Sequence, residues 1–333
     1  SLSAIIHSSP YKIIIAFLLL LAISLSVCAE NNSDSLQKKR VIAIAELFNG
    51  FAGGADSCVI PFSRAGNLIL IRAKADTIEG NFILDTGAPG LVLNLTYFRD
   101  YPTTTDIHEE QSGITGGVSA VKKTQVGKLS FDCVSSTAVT ADLLNLGHIE
   151  NARGIRIFGL IGLSLLRQFE MIIDYENSLL YLYRIPKKNA SAFKSYLLRD
   201  PSTYNTVPIE VWNNKIVTRT IIAGKKLRLI IDTGAESNML DSRLPNKVFE
   251  NVEVLRRIKL TGAGDKKVEA LYGNLNNLSI GDQNTGSLPV IITNLEKTCL
   301  ADNSCIDGIL GFDFLSLHKI GFNFVNNKMF IWK

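Results

Sequence analysis

The sequence is poor in histidine, and its few histidines show no metal-binding pattern. His7, His108, His148 and His318 lie far apart in the 333-residue chain. Zinc sites usually draw their ligands from short, regular spacings. We therefore expect no metal and no other cofactor, and we interpret the four histidines as single surface residues.

Long runs of positive charge are also missing. The chain has 35 basic and 31 acidic residues, a net charge of +4, and its basic stretch Lys38–Arg40 is short. Segments that bind nucleic acid usually carry longer basic blocks, so we expect no nucleic-acid partner. With 46% hydrophobic and 20% charged residues, the composition is typical of a globular protein with a core.

The first 29 residues have the order of an export signal. Lys12 precedes the uncharged apolar run Ile13–Val27, and Cys28 and the small residue Ala29 follow. This order predicts cleavage after Ala29 and an exported protein, periplasmic or secreted. Two alternatives stay open: a lipid on Cys28, or retention of the run as a membrane anchor, for which it is short.

Five cysteines are present, and removing Cys28 with the signal leaves four. An even number in an exported chain permits disulfides. Cys299 and Cys305 are close enough in sequence to close a small loop, and Cys58 and Cys133 then remain for each other. The alternative is four buried free thiols, because the sequence does not reveal connectivity.

One short pattern occurs twice. Phe82–Asn94 reads FILDTGAPGLVLN and Leu229–Leu240 reads LIIDTGAESNML. An acid that follows an apolar strand is costly to bury unless it is hydrogen-bonded or shared. One Asp-Thr-Gly is compatible with an ordinary turn, but two copies in matched settings indicate repeated units. The repetition predicts that Asp85 and Asp232 meet.

The rest of the second half follows the first at a nearly constant offset. Pro61 and Pro208 each lie 24 residues before their aspartate, and Gly162 and Gly311 lie 77 and 79 residues after it. We therefore predict two similar lobes built from strands. The predicted segments are a signal peptide at 1–29, an N-terminal extension at 30–58, a first lobe at 59–183, a linker at 184–206 and a second lobe at 207–333.

The repeated pattern resembles that of the aspartic peptidases. About 77 residues after the aspartate of each Asp-Thr-Gly-Ala come two apolar residues and a glycine, Leu160–Gly162 and Ile309–Gly311. Asp-Thr-Gly-Ala is the retropepsin version of the motif, and two copies in one chain is the pepsin arrangement, as in single-chain bacterial enzymes. The resemblance covers the chain from about residue 60 to 333. It implies an all-β, two-lobe pepsin-like (acid protease) fold, with each lobe a retropepsin-like closed β-barrel.

The resemblance implies an aspartic-type endopeptidase that acts on peptides or proteins. Two carboxylates in contact cannot both ionise, so Asp85 and Asp232 would share a proton and activate a water between them. A coupled pair titrates as a unit, so the sequence does not assign the acid and the base. A monomer is expected, because one chain supplies both motifs. The alternative is a catalytically silent peptide-binding module with the same fold.

The resemblance also implies supporting roles around the two aspartates. The threonines would hydrogen-bond between the lobes, and the glycines would allow the tight turns. The predicted loop residues are Thr86, Gly87, Ala88, Thr233, Gly234 and Ala235. A glycine-rich turn matches the flap that covers substrate, or else is an ordinary hairpin turn. Its residues are Gly113, Thr115, Gly116 and Gly117.

Alanine at positions 88 and 235 bears on the pH of action. Pepsin-like enzymes usually have serine or threonine there, whose hydroxyl donates to the catalytic carboxylate. A hydrogen bond to the charged form lowers the pKa of a carboxyl group. Because Ala88 and Ala235 lack this donor, we expect the pair to work at milder pH than in a pepsin.

Overall fold

The computed structural model of the protein describes residues 57–105, 111–113, 116–118, 121–261, 267–296 and 305–333. The predicted signal peptide, and the predicted extension up to residue 56, lie outside the described residues. Strands contain 54% of the residues in the structure and helices 13%. These fractions confirm the predicted all-β fold. In the described part of the chain, no helix is long and apolar enough to cross a membrane.

The first half is built from short strands with three short helices between them. The strands are β1 (Ser57–Pro61), β2 (Ser63–Ala65), β3 (Leu68–Ala75), β4 (Ile78–Asp85), β5 (Leu91–Asn94), β6 (Thr104–Thr105), β7 (Gln111–Gly113), β8 (Gly116–Val118), β9 (Lys122–Phe131), β10 (Val134–Leu144), β11 (Gly159–Gly162), β12 (Phe169–Asp174) and β13 (Leu179–Arg184). The helices are α1 (Leu95–Phe98), α2 (Gly147–Arg153) and α3 (Leu163–Leu166).

The second half repeats this plan after three single 3₁₀ turns, Ala190–Ala192, Tyr196–Leu198 and Pro201–Thr203. Its strands are β14 (Tyr204–Trp212), β15 (Lys215–Ile222), β16 (Lys225–Ile231), β17 (Met239–Asp241), β18 (Val252–Thr261), β19 (Lys267–Leu275), β20 (Ser279–Ile280), β21 (Gln283–Asn284), β22 (Leu288–Thr293), β23 (Gly308–Leu310), β24 (Ile320–Asn323) and β25 (Lys328–Trp332). Its helices are α4 (Asn246–Phe249) and α5 (Phe312–Leu315).

Six strands of the first half close into a barrel. They pair in the order β3-β4-β11-β5-β10-β9, and β9 returns to β3. Closure leaves these strands without a free edge. Apolar residues such as Phe82, Leu84, Leu93 and Phe131 are fully buried inside, and each contributes about 1.5–3 kcal/mol of burial free energy. This core holds the end of β4 in place.

The second half forms the same ring with one strand interrupted. Its order is β15-β16-β23-β17-β22-β19. The closing pairing comes from β20, which begins four residues after β19 ends and places Ser279 opposite Ile221. In the first half the unbroken strand β9 closes the ring by pairing with β3, with Ser130 opposite Lys74. Both rings therefore close at equivalent points.

A shared sheet joins the two halves. Its strands run in the order β1-β13-β12-β24-β25-β14, and the junction is the antiparallel pair β12–β24. Two polar contacts flank this junction: Asn323 donates to the buried Glu170 carboxylate at 2.9 Å, and the Lys319 ammonium lies 3.0 Å from Asp174. The shared sheet fixes one half against the other.

A disulfide bond lies within the first half. The structure joins Cys58 at β1 to Cys133 after β9, with the two Cα atoms 6.0 Å apart. Cys305 is also disulfide-bonded, and its predicted partner Cys299 lies outside the described residues.

Candidate active site

Both predicted catalytic aspartates stand where a central strand of each ring ends. Asp85 is the last residue of β4, and Gly162 on the parallel strand β11 lies opposite it. Asp232 follows β16, and its N–H donates to Leu310 on β23 at 3.0 Å. The parallel neighbour strand thus holds each aspartate from one side.

The two carboxyl groups meet between the halves. A Cβ atom placed on Gly87 would lie 2.4 Å from Asp232 Oδ2, and one on Gly234 would lie 2.5 Å from Asp85 Oδ1. Any side chain at these positions would displace the opposite carboxyl group. The two carboxyls therefore lie close enough to interact, and the charge of Asp232 raises the pKa of Asp85.

Backbone N–H groups bind both carboxyls. The N–H groups of Gly87 and Ala88 donate to Asp85 Oδ1 at 2.9 and 3.0 Å. The Gly234 N–H donates to Asp232 Oδ1 at 2.8 Å. Such bonds favour the charged form, so each loop offers a site suited to a carboxylate.

The environment nevertheless keeps a proton on the pair. Burial, and then the charge of Asp232, raise the pKa of Asp85 to about 8. Burial also raises the pKa of Asp232, against the opposing effects of the Gly234 N–H and Lys215. The carboxyls are close enough to titrate as one unit, and the raised values indicate a singly protonated pair near neutral pH.

Thr86 and Thr233 tie the two loops together. Each hydroxyl accepts the other residue's N–H at 3.0 Å. Thr86 Oγ1 also donates to the Ile231 carbonyl at 3.0 Å, and Thr233 Oγ1 to the Leu84 carbonyl at 2.7 Å. Both threonines are buried, so these four bonds are shielded from water and fix the spacing of the two loops.

Gly162 and Gly311, which end the second repeated motif of each half, pack behind the Asp-Thr-Gly-Ala loops. A Cβ on Gly162 would lie 2.6 Å from the Ala88 carbonyl oxygen, and one on Gly311 would lie 2.4 Å from that of Ala235. The residues that follow these glycines donate to the same carbonyls, Leu163 at 3.0 Å and Phe312 at 2.9 Å. The glycines therefore allow strand and loop backbones to touch.

The predicted flap residues fall on a small hairpin. Gly113 on β7 pairs with Gly116 on β8, and Ser112 pairs with Gly117. Thr115 lies outside the described residues. The hairpin is a separate two-stranded sheet, and its role as a flap stays a prediction.

One contact between the halves was not predicted from the sequence. Glu236, just after the second motif, pairs with Arg153 at the end of α2, and it accepts the Asn67 N–H at 3.3 Å. Its counterpart in the first motif is Pro89. That difference between the repeats was the available signal, whereas nothing in the sequence pointed to Arg153.

The comparison with protein families agrees with this geometry. Residues 218–314 match the model of the family described as aspartyl protease. The matched stretch contains the second Asp-Thr-Gly-Ala and Ile309–Gly311, and it supports an aspartyl protease family. No curated protein matches the chain.

Proposed function

We propose that this protein is a single-chain, retropepsin-like aspartic endopeptidase with one active site made by Asp85 and Asp232. The contact between the two carboxyl groups carries the proposal. Both aspartates are half-buried, and the threonine bonds keep the two loops together. We further propose that the enzyme is exported, acts as a monomer and takes peptide or protein substrates.

The first half of the reaction adds water to the peptide carbonyl. The ionised carboxylate removes a proton from the water, whose oxygen forms a bond to the carbonyl carbon. The protonated carboxyl gives its proton to the carbonyl oxygen. The product is a neutral diol, and the single proton of the pair has changed sides.

The second half breaks the carbon–nitrogen bond. The newly protonated carboxyl gives its proton to the amide nitrogen, which leaves with the bonding electrons as an amine. The other carboxylate takes a proton from one hydroxyl of the diol. A carboxylic acid and an amine result, and the pair again holds one proton in its starting position.

The proton requirement sets the pH range. Activity needs one proton on the pair, so it falls as pH rises through the raised pKa of about 8 of Asp85. It also falls at low pH, where both carboxyls are protonated. We expect an optimum closer to neutrality than in a pepsin, and Ala88→Ser with Ala235→Ser should move it to lower pH by adding hydroxyl donors.

The experiment is a peptide-library digest across roughly pH 3 to 9 with the wild type, Asp85→Asn and Asp232→Asn. The wild type should cleave, and either variant should lose activity by about 10³-fold or more, since each carboxyl transfers a proton in both halves of the reaction. Asp313→Asn is the matched control, because burial also raises the pKa of that half-buried aspartate. A wild type that binds peptides without cleaving any would favour the silent binding module.

A further inference from the structure

The residue that faces the predicted catalytic aspartate differs between the two halves. In β15 and β16, Ile216 lies opposite Ile231, so one further step along the register brings Lys215 opposite Asp232. In β3 and β4, Leu70 lies opposite Ile83, so two further steps along the register bring Leu68 opposite Asp85.

Both facing residues lie 17 positions before their aspartate. Directly opposed residues of an antiparallel pair project on the same face, with Cβ atoms about 5 Å apart. Leu68 is buried and apolar, whereas Lys215 is half-buried and cationic. Asp232 therefore has a cation beside it where Asp85 has a leucine.

Backbone hydrogen bonds alone do not favour ionisation of Asp232. Asp85 accepts the N–H groups of Gly87 and Ala88, whereas Asp232 accepts that of Gly234. Such bonds favour the charged form, so they act toward an ionised Asp85. The charge of Lys215 acts in the opposite direction, toward an ionised Asp232.

Three other charged groups near the pair have contacts of their own. Glu236 is paired with Arg153, and the Arg64 guanidinium lies 5.5 Å from the centre of the Phe312 ring. Asp313 faces the second loop, where its carboxylate accepts an N–H at 3.4 Å.

Two further groups complete the surroundings of Asp232. Tyr175 is buried, and burial and the charge of Asp232 both raise its pKa, so its hydroxyl stays neutral. Lys215 itself takes part in none of the ion pairs between described residues. No ion pair with another carboxylate in the described part of the chain therefore competes with Asp232 for its charge.

We propose that Lys215 keeps Asp232 as the ionised member of the pair, so that Asp232 takes the proton from water and Asp85 gives its proton to the carbonyl oxygen. This assignment rests on the proposed function, and Lys215 acts in it as a positioning residue. Removing the lysine leaves the chemistry possible but lets the proton reside on either side.

The test follows the two carboxyl carbons by ¹³C NMR during a pH titration of the full chain labelled at aspartate. Comparison with Asp85→Asn and Asp232→Asn assigns the signals. The wild type should show two ionisation steps, and Asp232 should lose its proton in the step with the lower pKa. Lys215→Met should raise that step by about 1 unit, the low end for loss of a nearby opposite charge, and Lys215→Arg should restore it. Lys225→Met, which removes an exposed lysine at the far end of the same hairpin, should leave both steps unchanged.

The acid limb of the pH profile of kcat/KM should move with the NMR step. A wild type in which Asp85 ionises first, or a Lys215→Met titration equal to that of Lys225→Met, would overturn the assignment. Lys215→Gln carries the same expectation if the methionine variant does not fold. Because the titration needs no substrate, a shift in a protein that cleaves nothing would support Lys215 and refute the proposed function alone.

Discussion

Replacing Thr86 with valine tests the link between the two loops. The buried Thr86 hydroxyl donates to the Ile231 carbonyl and accepts the Thr233 N–H, both at 3.0 Å. Valine keeps the shape and removes both bonds, leaving a carbonyl and an N–H unpaired. Each buried orphan costs about 1–3 kcal/mol, so we expect a loss of about 4 kcal/mol. Domains are typically stable by about 5–15 kcal/mol, so the effect is large.

Urea unfolding at neutral pH measures this loss as a lower midpoint with an unchanged slope. The matched control is Thr220→Val. Thr220 is 1% exposed, and its hydroxyl has no hydrogen-bond partner among the described residues, so its removal should be neutral or stabilising. If Thr86→Val costs no more than Thr220→Val, the hydroxyl bonds do not hold the loops together. Thr233→Val removes the other two of the four bonds, so it should cost about as much as Thr86→Val.

Two further predictions concern packing and charge. Gly162→Ala should reduce activity and stability by about 1–3 kcal/mol, as overpacking does, because its Cβ would lie 2.2 Å from the Gly90 carbonyl oxygen; Gly90→Ala, whose nearest contact is 3.4 Å away, should be mild. Hydrogen bonds to the side chain and the charge of Lys319 lower the pKa of Asp174 in spite of burial, so its contribution to stability is present above the unfolded pKa of about 4 and is lost as pH falls below it. Asp174→Asn should therefore cost about 2 kcal/mol at pH 7 and little at acid pH, and an equal cost at both, measured by urea unfolding, would contradict the role of this pair.

The sequence predicted the features that are repeated. Asp85 and Asp232 stood out because the same four residues follow an apolar strand at an offset of 147, and matched strands must end at matched places in two similar rings. The ring itself follows from short apolar strands that bury one face each. Repetition therefore carried both the fold and the central pair.

Features that break the repeat were harder to predict. Lys215 replaces Leu68 and Glu236 replaces Pro89, yet a single charged residue at a turn is usually solvated. The proximity of Lys215 to Asp232 becomes visible only when the strand register places the two residues opposite each other. The interruption between β19 and β20 and the helix α2 likewise depend on tertiary contacts that local pattern does not encode.

The central claim is that a water between Asp85 and Asp232 attacks the peptide bond directly. A single turnover with enzyme in excess over a cleaved peptide, carried out in ¹⁸O-enriched water, tests it most directly. Mass spectrometry of the new carboxyl terminus should find one ¹⁸O atom incorporated in the first turnover. An unlabelled product would show that an oxygen of the enzyme reached the substrate through a covalent intermediate, and it would contradict water attack at the pair.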